Sequence, residues 1–296
     1  MIYLLLCILS NVLIFVVFRI YPKYRINTLQ AIVMNYLFCV LTGVVFYSST
    51  LAAYIHQVDY FPAWGYIALF LSFAFILTFL LMAHTTQRMG ITVATIASKL
   101  SLVIPVSFSL LLFSRGHTEL SPINSVGILL ALVAIVLASF QPKLSKIKNF
   151  RKKDHPLILP IGVFLLGGTI DTLINFANLK YLQQGEDAIF VISIFILTFI
   201  WGVIWLLIKG NGLQNRSLYG GLLLGVPNFF SMIFLLKSLD TFDSNGALIY
   251  PLVNIGIILG GSLVSVCIFH DRLMKINYLG VFLALVSLIL ISWTNE

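Results

Sequence analysis

GILLALVAIVLAS, residues 127–139, and GVFLALVSLILIS, residues 280–292, decide how this chain folds. They lie 153 positions apart, and at that offset Thr92–Phe140 superimposes on Asn245–Trp293 without a gap. Sixteen of those forty-nine pairs are identical. Apolar helices agree by chance more often than soluble ones, so the register between helices is the stronger signal. His117, Leu120, Ile123 and Asn124 match His270, Leu273, Ile276 and Asn277 through a connecting loop. A fixed-offset self-match of this kind is the mark of an internal duplication.

The medium of the fold follows from composition. Of 296 residues, 60% are hydrophobic and 9% charged, with mean hydropathy +1.04. A soluble domain carries about 25% charged residues. Ten spanning helices of roughly 20 residues would occupy roughly 200 positions, leaving short connections. The composition excludes a soluble enzyme, a secreted disulfide scaffold and an anchor bearing a large soluble domain. The apolar runs are too long and continuous for an alternating β-barrel.

Hydropathy predicts helices over Ile2–Phe18, Leu29–Tyr47, Trp64–His84, Ile91–Phe113, Pro122–Phe140, Leu157–Leu179, Asp187–Ile208, Ser217–Leu236, Asn245–Phe269 and Ile276–Trp293. The opening MIYLLLCILSNVLIFVVF lacks a basic n-region and a small-residue cleavage site, so it is expected to be a retained first span. The predicted organisation is a five-helix repeat over 1–141, a basic connecting loop over 142–156, and a second five-helix repeat over 157–296. Five is odd, so the second copy enters the membrane inverted. The two copies are then related by a pseudo-two-fold axis in the membrane plane, the arrangement of many secondary transporters, with substrate held near the midplane. A duplicated scaffold without a transport role is the alternative.

The stretch SNGALIYPLVNIGIILGG from Ser244, with HDRL at 270–273 and the final helix, resembles the drug/metabolite transporter superfamily, most closely its EamA-like permeases. Asp271, Arg272 and Leu273 fit the family's acid-containing loop before the last helix of a repeat. In the first repeat Glu119 and Leu120 are adjacent, a departure. The resemblance implies a transport function and leaves the substrate open.

Charge bears on orientation. The odd-numbered loops hold fourteen of the eighteen Lys and Arg residues; the even-numbered loops hold Arg115, Lys180 and Lys237. The positive-inside rule then puts the odd loops in the cytoplasm and both termini outside. The resemblance implies termini in the cytoplasm instead. Either way a multi-pass protein of the cell membrane is expected. Lys143, Lys146, Lys148, Arg151, Lys152 and Lys153 serve topology and anionic headgroups rather than nucleic acid.

A charge within hydrocarbon costs roughly 2.5–3.5 kcal/mol even on lenient scales, so each one needs a reason. Two stand well inside predicted helices, Lys99 and Asp171. Gly167, Asp171, Asn175 and Asn178 share one face of the sixth helix. Asp171 reads as a ligand for a substrate amine or a proton-coupling carboxylate, or else as a polar clamp between helices. Asn11 in the first helix is its approximate repeat counterpart. Lys99 reads as a ligand for an anionic substrate group, a partner of Asp171, or a snorkelling side chain; the two lie about 9 Å apart in depth by helix rise. Tyr250 and Asn254, flanking Pro251, and Asn35, Tyr36 and Asn228 are further candidates for substrate contact, with interhelical glue as the other reading.

No Walker motif is present, so ATP hydrolysis is not expected to drive the protein directly. No cofactor or metal is expected; Cys7, Cys39 and Cys267 read as small hydrophobes. An intramembrane enzyme would have only His270–Asp271 and His117 as acid/base groups, one set per repeat and on opposite faces. A channel would need a charge ring or filter, and neither is apparent. The expected partners are a small-molecule substrate, protons or a counter-substrate, and the bilayer.

Overall fold

The computed structural model describes residues 2–49, 51–52, 62–105, 122–140, 157–182, 186–210, 212–241 and 246–292. Among the described residues the secondary structure is helical throughout: α1 (Ile2–Ile20), α2 (Thr28–Phe46), α3 (Gly65–Met89), α4 (Ile91–Leu100), α5 (Pro122–Ala138), α6 (Ile158–Lys180), α7 (Asp187–Lys209), α8 (Asn215–Thr241), α9 (Gly246–Cys267) and α10 (Lys275–Ser292). Seven of these are long and apolar enough to cross a membrane: α1, α2, α3, α6, α7, α8 and α9. The apolar stretches Ile91–Pro105, Val126–Ala138 and Lys275–Leu290 are shorter. The fourth predicted helix runs to Phe113; its part beyond residue 105 lies outside the described residues.

Local chemistry sets the breaks. Asn27 opens α2 by accepting a hydrogen bond from the Gln30 amide at 3.2 Å, the usual work of an N-cap. Between α3 and α4 there is a single residue, Gly90, at φ +97°, a backbone conformation that side chains rarely adopt. The two helices are thereby joined by a sharp corner rather than a loop.

The packing directions follow a simple rule. In α1–α9, Gly256 lies against Ile8 and Gly260 against Val12, so the helices run parallel. In α2–α8, Gly221 lies against Met34 and Gly225 against Asn35 and Phe38, again parallel. In α3–α7, Trp64 meets Phe190 and Phe73 meets Trp201, also parallel. The antiparallel pairs are α1–α8 (Cys7 to Ser231, Tyr21 to Gly220), α2–α7, α4–α9 and α5–α10. Helices of like number parity run alike and those of unlike parity run oppositely. Small residues at these crossings let backbones approach, since lipid tails supply no hydrophobic drive between helices.

The first, third, seventh and ninth connections gather at one end. Arg19, at the end of α1, donates to the Thr86 and Gln87 carbonyls and pairs with Asp271 before α10. Gln30 donates to the Gly212 carbonyl and accepts from the Gln214 amide. This is called the basic end below. The opposite end holds Tyr3, Lys180 and Lys237, with Lys237 over the Tyr3 ring. Apolar cores fill the space between, the largest formed by α1, α2, α3, α8 and their neighbours.

Candidate functional site

Four helices bring polar side chains together in the interior: α1 and α4 from the first half, α6 and α9 from the second. Lys99, one residue before the end of α4, donates from Nζ to Asn11 Oδ1 on α1 at 3.0 Å. Asn11 is held in turn by its own helix, its Nδ2 donating to the Cys7 carbonyl at 3.0 Å. On α6, Asp171 Oδ2 lies 3.2 Å from Ser101 Oγ, whose one proton is shared with the Ser98 carbonyl at 2.6 Å. Asn254 on α9 donates to the Lys99 carbonyl at 3.5 Å, a weak contact at the edge of bonding range.

Lys99 and Asp171 do not form an ion pair, yet they are near enough for each to lie in the other's field. Each is held by a neutral partner, which leaves the ammonium further donors and the carboxylate further acceptor sites. Two opposite charges kept apart in this way can receive a ligand that carries both signs. Tyr250, on α9, lies in the field of Asp171 as well.

On the polar faces of α6 and α9, exposure changes in one sense along the helix. On one face of α6, Val163 is buried, Gly167 half-buried, and Asp171 and Asn175 are exposed, in the direction of Lys180. Along α4, Ile91 to Ala97 are buried, Lys99 is half-buried, and Leu100 and Ser101 beyond it are buried again. On α9, Tyr250 is exposed, Asn254 half-buried, and Ile257 and Ile258 buried. The gradients on α6 and α9 both open away from the basic end. Asp171 is exposed, yet it lies against the buried Ser101 at the α4–α6 contact, and we infer that it lines a recess between these helices.

The predicted residues therefore divide. Lys99, Asp171, Asn254 and Tyr250 come together, and Asn175 lies one turn beyond Asp171 on the accessible face. Asn178 continues α6; its side chain is outside the described residues. Asn35, Tyr36 and Asn228 lie elsewhere, between α2 and α8. There Asn228 Nδ2 donates to Asn35 Oδ1 at 3.2 Å and to Cys39 Sγ at 3.4 Å, all in buried surroundings. Tyr36 is fully buried beside the Phe79 and Phe195 rings, and its hydroxyl has no hydrogen-bond partner. This group is a clamp between helices.

Ser101 and Asn11 belong to the site, and only Asn11 drew notice in the sequence. Ser101 could have been found: the 153 offset places it over Asn254. Of the acid/base groups, Asp271 is engaged by Arg19 at 2.6 Å and by Ser265 Oγ at 2.6 Å, while His270 is exposed beside the Ile268 carbonyl. His117 lies outside the described residues. Cys7 and Cys39 are buried as expected, whereas Cys267 ends α9 and is exposed.

No protein-family model matches the chain. Over 299 residues it is 28% identical to an uncharacterized protein of Haemophilus influenzae, spanning 99% of this chain and 98% of that one. A protein of known crystal structure is similar in fold, with TM-score 0.55 and 11% sequence identity, covering 96% of this chain and 97% of the other. At that identity the likeness speaks to fold alone. Both similarities run end to end, so the shared architecture extends over the whole chain.

Proposed function

We propose that this chain is a secondary active transporter of the drug/metabolite kind, an EamA-like permease built as two inverted five-helix repeats that cross the membrane ten times. It moves a small polar or amphipathic metabolite by alternating access, coupled to protons or to exchange. The substrate's amine meets Asp171 and its anionic group meets Lys99. The observation that carries the reading is the pair of opposite charges on α4 and α6, unpaired with each other, Asp171 exposed and Lys99 half-buried.

Further observations support it. The parity of packing directions is what ten successive crossings require. Exchanging each helix for its repeat counterpart turns α1–α9 into α4–α6, α2–α8 into α3–α7, and α1–α8 into α3–α6, all of which pack. The same exchange maps α2–α7, α4–α9 and α5–α10 onto themselves. Helices one, four, six and nine, which hold the polar groups, are two equivalent pairs under this exchange. A site at the interface of inverted repeats is where such transporters bind their cargo.

The test is uptake or counterflow in proteoliposomes with a panel of zwitterionic, cationic and anionic metabolites. A ligand is first sought by its elevation of the melting temperature. Asp171→Asn should abolish gradient-driven uptake while the purified protein remains folded. Lys99→Gln should weaken binding of substrates bearing an anionic group and spare those without one. Full uptake by both variants would sink the assignment of the site.

A further inference from the structure

We propose that Arg19 and Asp271 form a latch that holds the basic end shut in the conformation seen here, while the recess at Asp171 stands open at the other end. Arg19 Nη2 meets Asp271 Oδ1 at 2.6 Å, and Nη1 donates to the Thr86 carbonyl at 3.1 Å and to the Gln87 carbonyl at 3.0 Å. The guanidinium also sits 5.9 Å from the centre of the Phe269 ring. The second carboxylate oxygen of Asp271 takes the Ser265 hydroxyl at 2.6 Å. That same oxygen fills the space beside Gly90, where a Cβ would stand 3.1 Å from it. Nearby, Gln87 Nε2 donates to Thr28 Oγ1 at 3.0 Å and to the Phe18 carbonyl at 3.3 Å.

What this network joins gives it a purpose. Arg19 ends α1, the helix of Asn11. Thr86 to Gly90 lead directly into α4, the helix of Lys99. Asp271 follows α9, the helix of Asn254. One guanidinium and one carboxylate thus tie α1 and α9, at the basic end, to the last turn of α3, whose Gly90 corner leads into α4. The buried run Ile91–Ala97 lies between the latch and the recess. Arg19 and Asp271 are 23% and 19% exposed, so water reaches the pair. A partly exposed ion pair is weak enough to be broken and remade within a cycle. Opening the basic end requires Asp271 to leave both Arg19 and the Gly90 corner.

The latch rests on the transport reading for its purpose only, and its closure is tested without substrate. In a Cys267→Ser background, single thiols are introduced by Asn175→Cys, on the accessible face of α6, and by Thr86→Cys, buried under the latch. Labelling by a membrane-impermeant maleimide on protein in nanodiscs is the readout. In the parent, Asn175→Cys should label and Thr86→Cys should not. Adding Asp271→Asn should raise labelling at Thr86→Cys by about tenfold and lower it at Asn175→Cys, as a two-state equilibrium tips toward the other end. Unchanged labelling at both positions in a folded Asp271→Asn protein would overturn the latch and leave the pair a loop anchor. If that variant is unfolded, shown by labelling of the buried Cys7 and Cys39, Arg19→Gln and Ser265→Ala are read by the same two thiols. The labelling pattern described in the thiol variants, together with a wild type that transports no substrate, would sink the transport reading and leave the latch standing.

Discussion

Asn228 and Asn254 are the same residue type in helices that each contain a proline, and the sequence offers no means to tell their roles apart. Surroundings do. Asn228 is buried and bonded to Asn35 and Cys39, whereas Asn254 is half-buried at the edge of the recess. Asn228→Ala removes two interhelical contacts and leaves Asn35 Oδ1 only the weak Cys39 thiol at 3.8 Å, so it should lower the melting temperature. An interhelical hydrogen bond in a membrane is worth roughly 0.6 kcal/mol on average, and an orphaned buried polar group adds roughly 1–3 kcal/mol. The substrate concentration for half-maximal uptake should stay unchanged. Asn254→Ala should do the reverse, raising that concentration several-fold with little effect on melting; equal behaviour of the two variants would refute the division. Tyr36→Phe provides a sharper case. The hydroxyl is buried without a partner, so its removal should leave stability unchanged or raise it, as a thermal melt in detergent would show. Lys99 and Asp171 were legible because charges in an apolar helix are conspicuous. Arg19 was not, because a cation at a helix end looks like any other loop charge until its partner, 252 positions away, is in view.

At the scale of elements, periodicity and hydropathy placed the helices to within a few residues at most ends. α3 was expected to stop at His84 and runs to Met89, because Gly90 rather than a drop in hydropathy ends it. The clearest matching helices, α5 and α10, pack antiparallel against each other, with Asn277 donating to the carbonyls of Leu137, Ala138 and Phe140. Gly280 touches that seam so closely that a Cβ would stand 2.6 Å from the Ala138 nitrogen and 3.0 Å from its Cα. Backbone cannot rotate aside, so Gly280→Ala must push the helices apart, at a cost of roughly 1–3 kcal/mol for overpacking. Gly212→Ala has open space for its methyl and serves as the control. A lower melting midpoint for the first variant alone is the expected outcome. The sequence places Gly280 inside a helix and Gly212 between helices, but it does not show that Ala138, far earlier in the chain, approaches Gly280 so closely.

For the molecule as a whole, the gathering of the first, third, seventh and ninth connections at one end agrees with their shared excess of Lys and Arg. The positive-inside rule predicts that this end faces the cytoplasm and that the recess opens outward. A C-terminal alkaline phosphatase fusion should then be active in cells and a C-terminal green fluorescent protein dark. The opposite pattern would invert both assignments while leaving the site's chemistry intact. Sequence alone could suggest a duplication, because a common register runs through the helices that end each half. It could not reveal which end is shut, since that depends on contacts among residues far apart in the chain. The distribution of thiols has a practical consequence. With Cys7 and Cys39 buried and Cys267 exposed, four residues before Asp271, the unmodified protein already holds one attachment point for a fluorescent dye. Quenching or polarity shifts from a dye placed there would follow the basic end in real time, molecule by molecule, without any engineered cysteine.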